Sequence, residues 1–149
     1  MGITALFSNT LGAPLHHRRM SWGSIRNDGV VFLRVWDEER LLETRRGRTF
    51  ARLAFHDWYE GNPDNWGYRE RNQHIDALEE RSKSGDTEIG YVVMCTPRYL
   101  ENGNREIDSY VAETVRRIIG LQRRRTGMWA ELGPAIDVAF VSPVCADQH

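Results

Sequence analysis

The stretch "SIRNDGVVFLRVW", residues 24–36, constrains the fold more than any other part of the chain. Asn27, Asp28 and Gly29 tolerate the positive φ angles of a tight hairpin turn, so residues 21–27 and 29–37 are predicted to form two antiparallel strands. Side chains alternate along a strand. This sets Val31, Leu33 and Val35 on one face and Val30, Phe32, Arg34 and Trp36 on the other. Both faces are largely apolar, which suits a closed barrel or a sheet covered on two sides.

The rest of the pattern is mainly β. Residues 48–56 alternate again, with Ala51, Leu53 and Phe55 opposite Phe50, Arg52 and His56. The segment "HDWYEGNPDNWG" is rich in turn formers yet carries Trp58, Tyr59 and Trp66. Residues 68–83 read as the one main helix, with Ile75 and Leu78 on its buried stripe and Gly85 as the stop signal. "EIGYVVMCTP" is then a buried strand ended by Pro97. Residues 98–109 read as irregular, leading into a helical turn from Asp108 to Arg117. A second hairpin is expected from Ile118–Arg124 and Met128–Leu132, with its turn at Thr126 and Gly127, and a last strand from Ile136 to Val141. A chain of 149 residues is the size of one domain. Five to seven strands with one main helix point to a small α+β barrel rather than a helical bundle or a parallel nucleotide-binding sheet.

Charge and motifs exclude several classes. A net charge of −1 does not fit a protein that coats nucleic acid through bulk electrostatics. Basic residues cluster locally at His16–Arg19, at Arg45–Arg48, and at Arg116, Arg117 and Arg123–Arg125, with Lys83 the only lysine. The guanidinium fork suits phosphates and base edges, although a GC-rich coding genome gives the same skew. No segment approaches a membrane span and no secretory leader is seen, so a cytoplasmic location is expected. Two cysteines, Cys95 and Cys145, make neither a disulfide framework nor a metal clamp. P-loop, Rossmann, HExxH and GxSxG patterns are absent. His56 and Asp57, with His74 and Asp76 further on, superficially match metal-dependent phosphohydrolases. Those enzymes hold their metals among helices, whereas His56 ends a predicted strand. Lys83 has no acidic partners at nuclease spacing. Neither a cofactor nor a metal is expected.

Recognition remains. Trp22 offers a stacking surface at the start of a strand, Gly23 lets a planar ligand approach closely, and Arg18 and Arg19 lie beside them to meet phosphates. The plainer reading makes Trp22 a core aromatic and His16 to Arg19 a solvated rim. Trp36 shares a face with Phe32 and reads as core. Trp66 and Tyr68 stand at a polar loop that has little use for large rings unless they pack on the sheet or meet a ligand.

"ALFSNTLG", "SWGSI…GVVFLRVW", "NWGYRERNQHI" and "YVVMCTP", in this order, resemble bacterial modules associated with HNH-type, modification-dependent restriction endonucleases, whose architecture is similar to PUA-like barrels such as the SRA and EVE domains. The resemblance implies a single PUA-like domain over residues 1–149, a β-barrel of five to seven strands with one main helix. It further implies a defence role in which a modified base is flipped into an aromatic pocket. The His, Asn and Cys pattern of the nuclease part is absent, so this chain would be the reader, and a separately encoded nuclease its partner. In that reading Trp22 and Trp66 stack on the base, Asn9, Ser21 and Asn65 read its edge, and Arg18, Arg19 and Arg26 hold the backbone, with Gly23 and Tyr68 beside them and DNA favoured over RNA. Two other classes compete. One is a small metal-dependent hydrolase acting on nucleotides or nucleic acid, centred on His56, Asp57 and His74. The other is a protein-interaction module using the aromatic segment 58–68.

Overall fold

The computed structural model describes residues 2–17, 21–43, 46–54 and 66–142. Arg18, Arg19, His56, Asp57, Trp58, Tyr59, Asn65 and Cys145 lie outside the described residues. The chain opens with one turn of helix, α1 (Ile3–Ala5), which runs on into a wider π turn over Leu6–Thr10. Strands β1 (Gly23–Ile25) and β2 (Val31–Trp36) follow, then β3 (Arg40–Glu43), β4 (Arg48–Arg52) and the long helix α2 (Trp66–Lys83). Four further strands complete the order: β5 (Gly90–Tyr99), β6 (Arg105–Tyr110), β7 (Thr114–Arg124) and β8 (Gly127–Asp137).

The hairpin lies where its turn residues place it. Gly29 has φ 89°, the Arg26 N–H reaches the Val30 carbonyl at 2.9 Å, and Gly23, Ser24 and Ile25 pair with Leu33, Phe32 and Val31. The other sheet contacts give the order β1-β2-β5-β7-β8-β4-β3, with β6 on the far part of β5. β2 and β5 run parallel, joined by a crossover through β3, β4 and α2, and the other pairings are antiparallel.

This overturns the PUA-like barrel. Among the described residues the sheet has eight strands, is mixed, ends on the open strands β1 and β3, and is accompanied by two helices rather than one. The two-faced apolar β2 has the other explanation that its pattern allowed, a sheet covered on both sides. Val31, Leu33 and Val35 pack with Ile75 and Leu78 of α2 and with Leu53, Met128 and Leu132. On the other face Val30, Phe32 and Trp36 pack with Leu6, Phe7 and Leu11 of the N-terminal turns and with Tyr91 and Val93. Burial on both faces is what a strand in a parallel pair requires. The first cluster also draws β2 and β4 together across four intervening pairings, so the sheet is strongly curled.

Other expectations change locally. Residues 108–117 carry no helical turn; they end β6 and begin β7. Pro97 does not end β5, because the register shifts between Thr96 and Pro97 and a bulge there relieves the demand for its missing N–H. The strand expected at Ile136–Val141 is the end of β8 followed by a 3₁₀ turn over Val138–Phe140. No helix among the described residues is long and apolar enough to cross a membrane.

Candidate functional site

One cleft gathers the polar and aromatic groups at the open edge of the hairpin. It encloses about 760 Å³ between residues 14–16, strand β1 and the first turns of α2. That volume is typical of small-molecule sites. Its helical wall is built from Trp66, Arg69, Glu70, Gln73 and His74. The spacing i, i+3, i+4, i+7, i+8 puts all five on one stripe of α2, while Ile75 and Leu78 sit in the core.

The opposite wall is the edge of β1. Hydrogen-bonded and non-bonded pairs alternate along an antiparallel ladder. The Arg34 N–H bonds the Trp22 carbonyl at 2.7 Å and the Arg26 N–H bonds Val30, so Gly23 and Ile25 occupy the alternate positions. Their N–H and C=O groups therefore point away from β2, and both residues line the cleft. Ser24 fixes the third wall by donating its hydroxyl to the Pro14 carbonyl at 2.8 Å.

At the mouth, His16 stacks on Trp66 with centroids 5.6 Å apart and planes 24° apart, and His17 tilts against the same ring at 5.8 Å. Trp66 remains 36% exposed. Deeper in, the buried Ser21 hydroxyl donates to Glu70 Oε2 at 3.2 Å and accepts the His17 N–H at 2.8 Å, which orients the carboxylate. His74 is only 5% exposed, and its Nδ1 is buried with no hydrogen-bond partner. Burial, with the nearby Arg71 charge, holds this imidazole neutral with a pKa lowered to about 4. A buried polar atom left open costs about 1–3 kcal/mol.

The residues anticipated from sequence divide into two groups. Ser21, Gly23 and Trp66 meet at the cleft. Trp22 packs half-buried against the core instead, edge-on to Trp36 at 4.9 Å, with the Arg34 guanidinium 4.6 Å from its ring centre. Gly23 has an internal reason to be glycine: a Cβ there would stand 2.5 Å from the Phe32 carbonyl oxygen and against the Leu33 side chain. Arg26 is buried away from the cleft, bonded to Asp28 and to the carbonyls of Leu11 and Val141. Asn9 is exposed on the π turn, and Tyr68 is half-buried on α2 off the cleft-lining stripe. Arg18, Arg19 and Asn65 fall outside the described residues.

Arg69, Glu70 and Gln73 were missed as site residues, and His74 was named only in the competing hydrolase reading. Their signal was the helical spacing from Trp66, hidden because charged residues on a helix ordinarily mark its solvated face. Several described members of the basic clusters are engaged within the fold. Arg48 pairs with Glu43 at 2.9 Å, Arg123 with Glu79, and Arg116 donates to the Gly133 carbonyl. Among the described residues no group of three or more His, Cys, Asp and Glu side chains could hold a metal ion. Cys95 is buried, which pushes its thiol up to about 12, far from a reactive thiolate. The chain matches no protein-family model, no curated protein and no solved structure.

Proposed function

We propose that this chain is a non-catalytic, cytoplasmic reader of nucleic acid that takes one unpaired or extruded base into the cleft between β1 and α2. The observation that carries the reading is the cleft itself, an exposed Trp66 ring at the mouth leading to Glu70, Gln73 and His74 and to the open edge of β1. A stacking face followed by fixed donors and acceptors is the arrangement that recovers the few kcal/mol spent on extruding a base. The likeness of four segments to modules of modification-dependent restriction systems makes DNA with a modified base the first substrate to try, and a separately encoded nuclease the natural partner.

Binding of oligonucleotides with unmodified and modified bases, followed by tryptophan fluorescence at several salt concentrations, tests the reading. Selective binding is expected, and Trp66→Ala should weaken it by about 1–3 kcal/mol, the usual worth of one base–aromatic stack. Equal, weak binding to every oligonucleotide, unaffected by Trp66→Ala, would reject it.

A second reading has an observation of its own. A cleft between an open strand edge and a helix also accepts an extended peptide as an added strand, held by the outward N–H and C=O groups of Gly23 and Ile25. Binding of peptides in place of oligonucleotides would put this interaction module first.

A further inference from the structure

We infer that the cleft reads a guanine-type edge, a ring N–H beside an exocyclic amino group, with the Glu70 carboxylate accepting from the two donors. The inference rests on the base-reading proposal above and adds which base is chosen.

Glu70 is a built acceptor. The buried Ser21 hydroxyl donates to its Oε2 at 3.2 Å and is itself held by the His17 N–H at 2.8 Å, so the carboxylate is oriented before any ligand arrives. An ionised carboxylate offers about four acceptor sites, of which this bond uses one. Its two oxygens suit two parallel N–H donors. His74 backs Glu70 in the cleft wall. It lies one helical turn beyond Glu70 on the same stripe, lines the same cleft, is nine-tenths buried, and its Nδ1 lacks a hydrogen-bond partner.

Only one common base offers a carboxylate two adjacent N–H donors. Guanine presents a carbonyl, a ring N–H and an amino group in a row. Thymine places a second carbonyl where the amino group should be and sets it against the carboxylate. Cytosine and adenine each present an unprotonated ring nitrogen to it. The edge stays free when a modification sits elsewhere on the ring.

The test compares four otherwise identical single-stranded oligonucleotides carrying guanine, hypoxanthine, adenine or thymine at one central position. Hypoxanthine keeps the ring N–H and the carbonyl and lacks the amino group. Guanine should bind roughly tenfold or more tighter than hypoxanthine, the factor for one hydrogen bond to a charged group, and tighter still than thymine. Glu70→Gln should close the gap between guanine and hypoxanthine at an unchanged melting temperature. Ser21→Ala, which removes the orienting bond together with the acceptor for the His17 N–H, should narrow it. Equal binding of guanine and hypoxanthine by the unaltered protein overturns the inference and leaves the base-reading proposal standing. Failure to bind any of the four overturns the inference, and the screen with modified bases then decides the base-reading proposal. The guanine comparison needs no variant, so a poorly folding substitution does not blunt it.

Discussion

The two ends of the β1–β2 hairpin use buried polar groups in opposite ways. At the turn end, Arg26 is closed on every side. Its Nε and Nη2 meet the Asp28 carboxylate at 3.0 and 2.8 Å, Nη1 meets the Leu11 and Val141 carbonyls, and the guanidinium lies 5.1 Å from the Phe32 ring centre. It ties the hairpin to the chain on both sides of it. At the cleft end, Glu70 keeps acceptor capacity beyond its bond from Ser21, and His74 Nδ1 has no partner. Arg26 is saturated by its own chain, whereas Glu70 and His74 at the cleft end each keep a valence open.

The largest effect should come from breaking the saturated end. Arg26→Met removes the cation and leaves two buried carbonyls without a donor, each worth about 1–3 kcal/mol. Urea denaturation should show a loss of about 4 kcal/mol, with ligand binding by the remaining folded protein unchanged. A small loss would mean that Arg26 is no clasp, and the contrast between the two ends would fail.

The open end should reveal itself through pH. His74 has its folded pKa lowered from 6.5 to about 4, so it stays neutral in the fold while the unfolded chain takes up a proton. Above pH 6.5 it contributes no pH dependence. As the pH falls from 6.5 towards 4, stability should drop by up to about 1.4 kcal/mol per pH unit, reaching about 3 kcal/mol, and the loss should be complete below the folded value. Asp28, held low mainly by its hydrogen bond from Arg26, sheds its contribution only below its ordinary 3.8, so the two windows separate. His74→Gln should flatten the melting temperature between pH 6.5 and 4.5. An unchanged slope in that variant would show that the imidazole charges freely in the fold.

What the sequence made legible follows the same division. The hairpin, its turn and the long helix were readable because each is fixed by local chemistry: "NDG" for the turn, and apolar spacing with a terminal glycine for the helix. β3 escaped because Leu41 and Leu42 are exposed on an edge strand and break the alternation. β6 escaped because it pairs only with the far part of β5, beyond a bulge, and buries little. The barrel was the wrong closure because a two-faced apolar strand fits either covering, and sequence periodicity does not say whether a helix or another strand supplies the second cover. Within the site, Trp66 stood out as a large ring at a polar loop, whereas Ser21 was named only through the resemblance. Glu70 and His74 needed the hairpin edge to be set against the helix.

Gly23 sharpens the comparison most finely, because it lines the cleft and yet belongs by its packing to the saturated kind. The sequence offered it as room for a ligand, but the space where its Cβ would stand is filled from within by the Phe32 carbonyl oxygen and the Leu33 side chain. Neither can move far, since Phe32 and Leu33 are fully buried in the two opposite core clusters. Gly23→Ala should therefore behave as an overpacked core substitution, costing about 2 kcal/mol of stability. In doing so it should push β1 from β2 and shift the Gly23 and Ile25 groups that face the cleft. Thermal melting and oligonucleotide affinity measured on the same variant separate the two roles. A destabilised protein with selective binding largely retained assigns Gly23 to the hairpin; unchanged stability with binding lost would return it to the ligand and move the boundary between the two ends one residue along the strand.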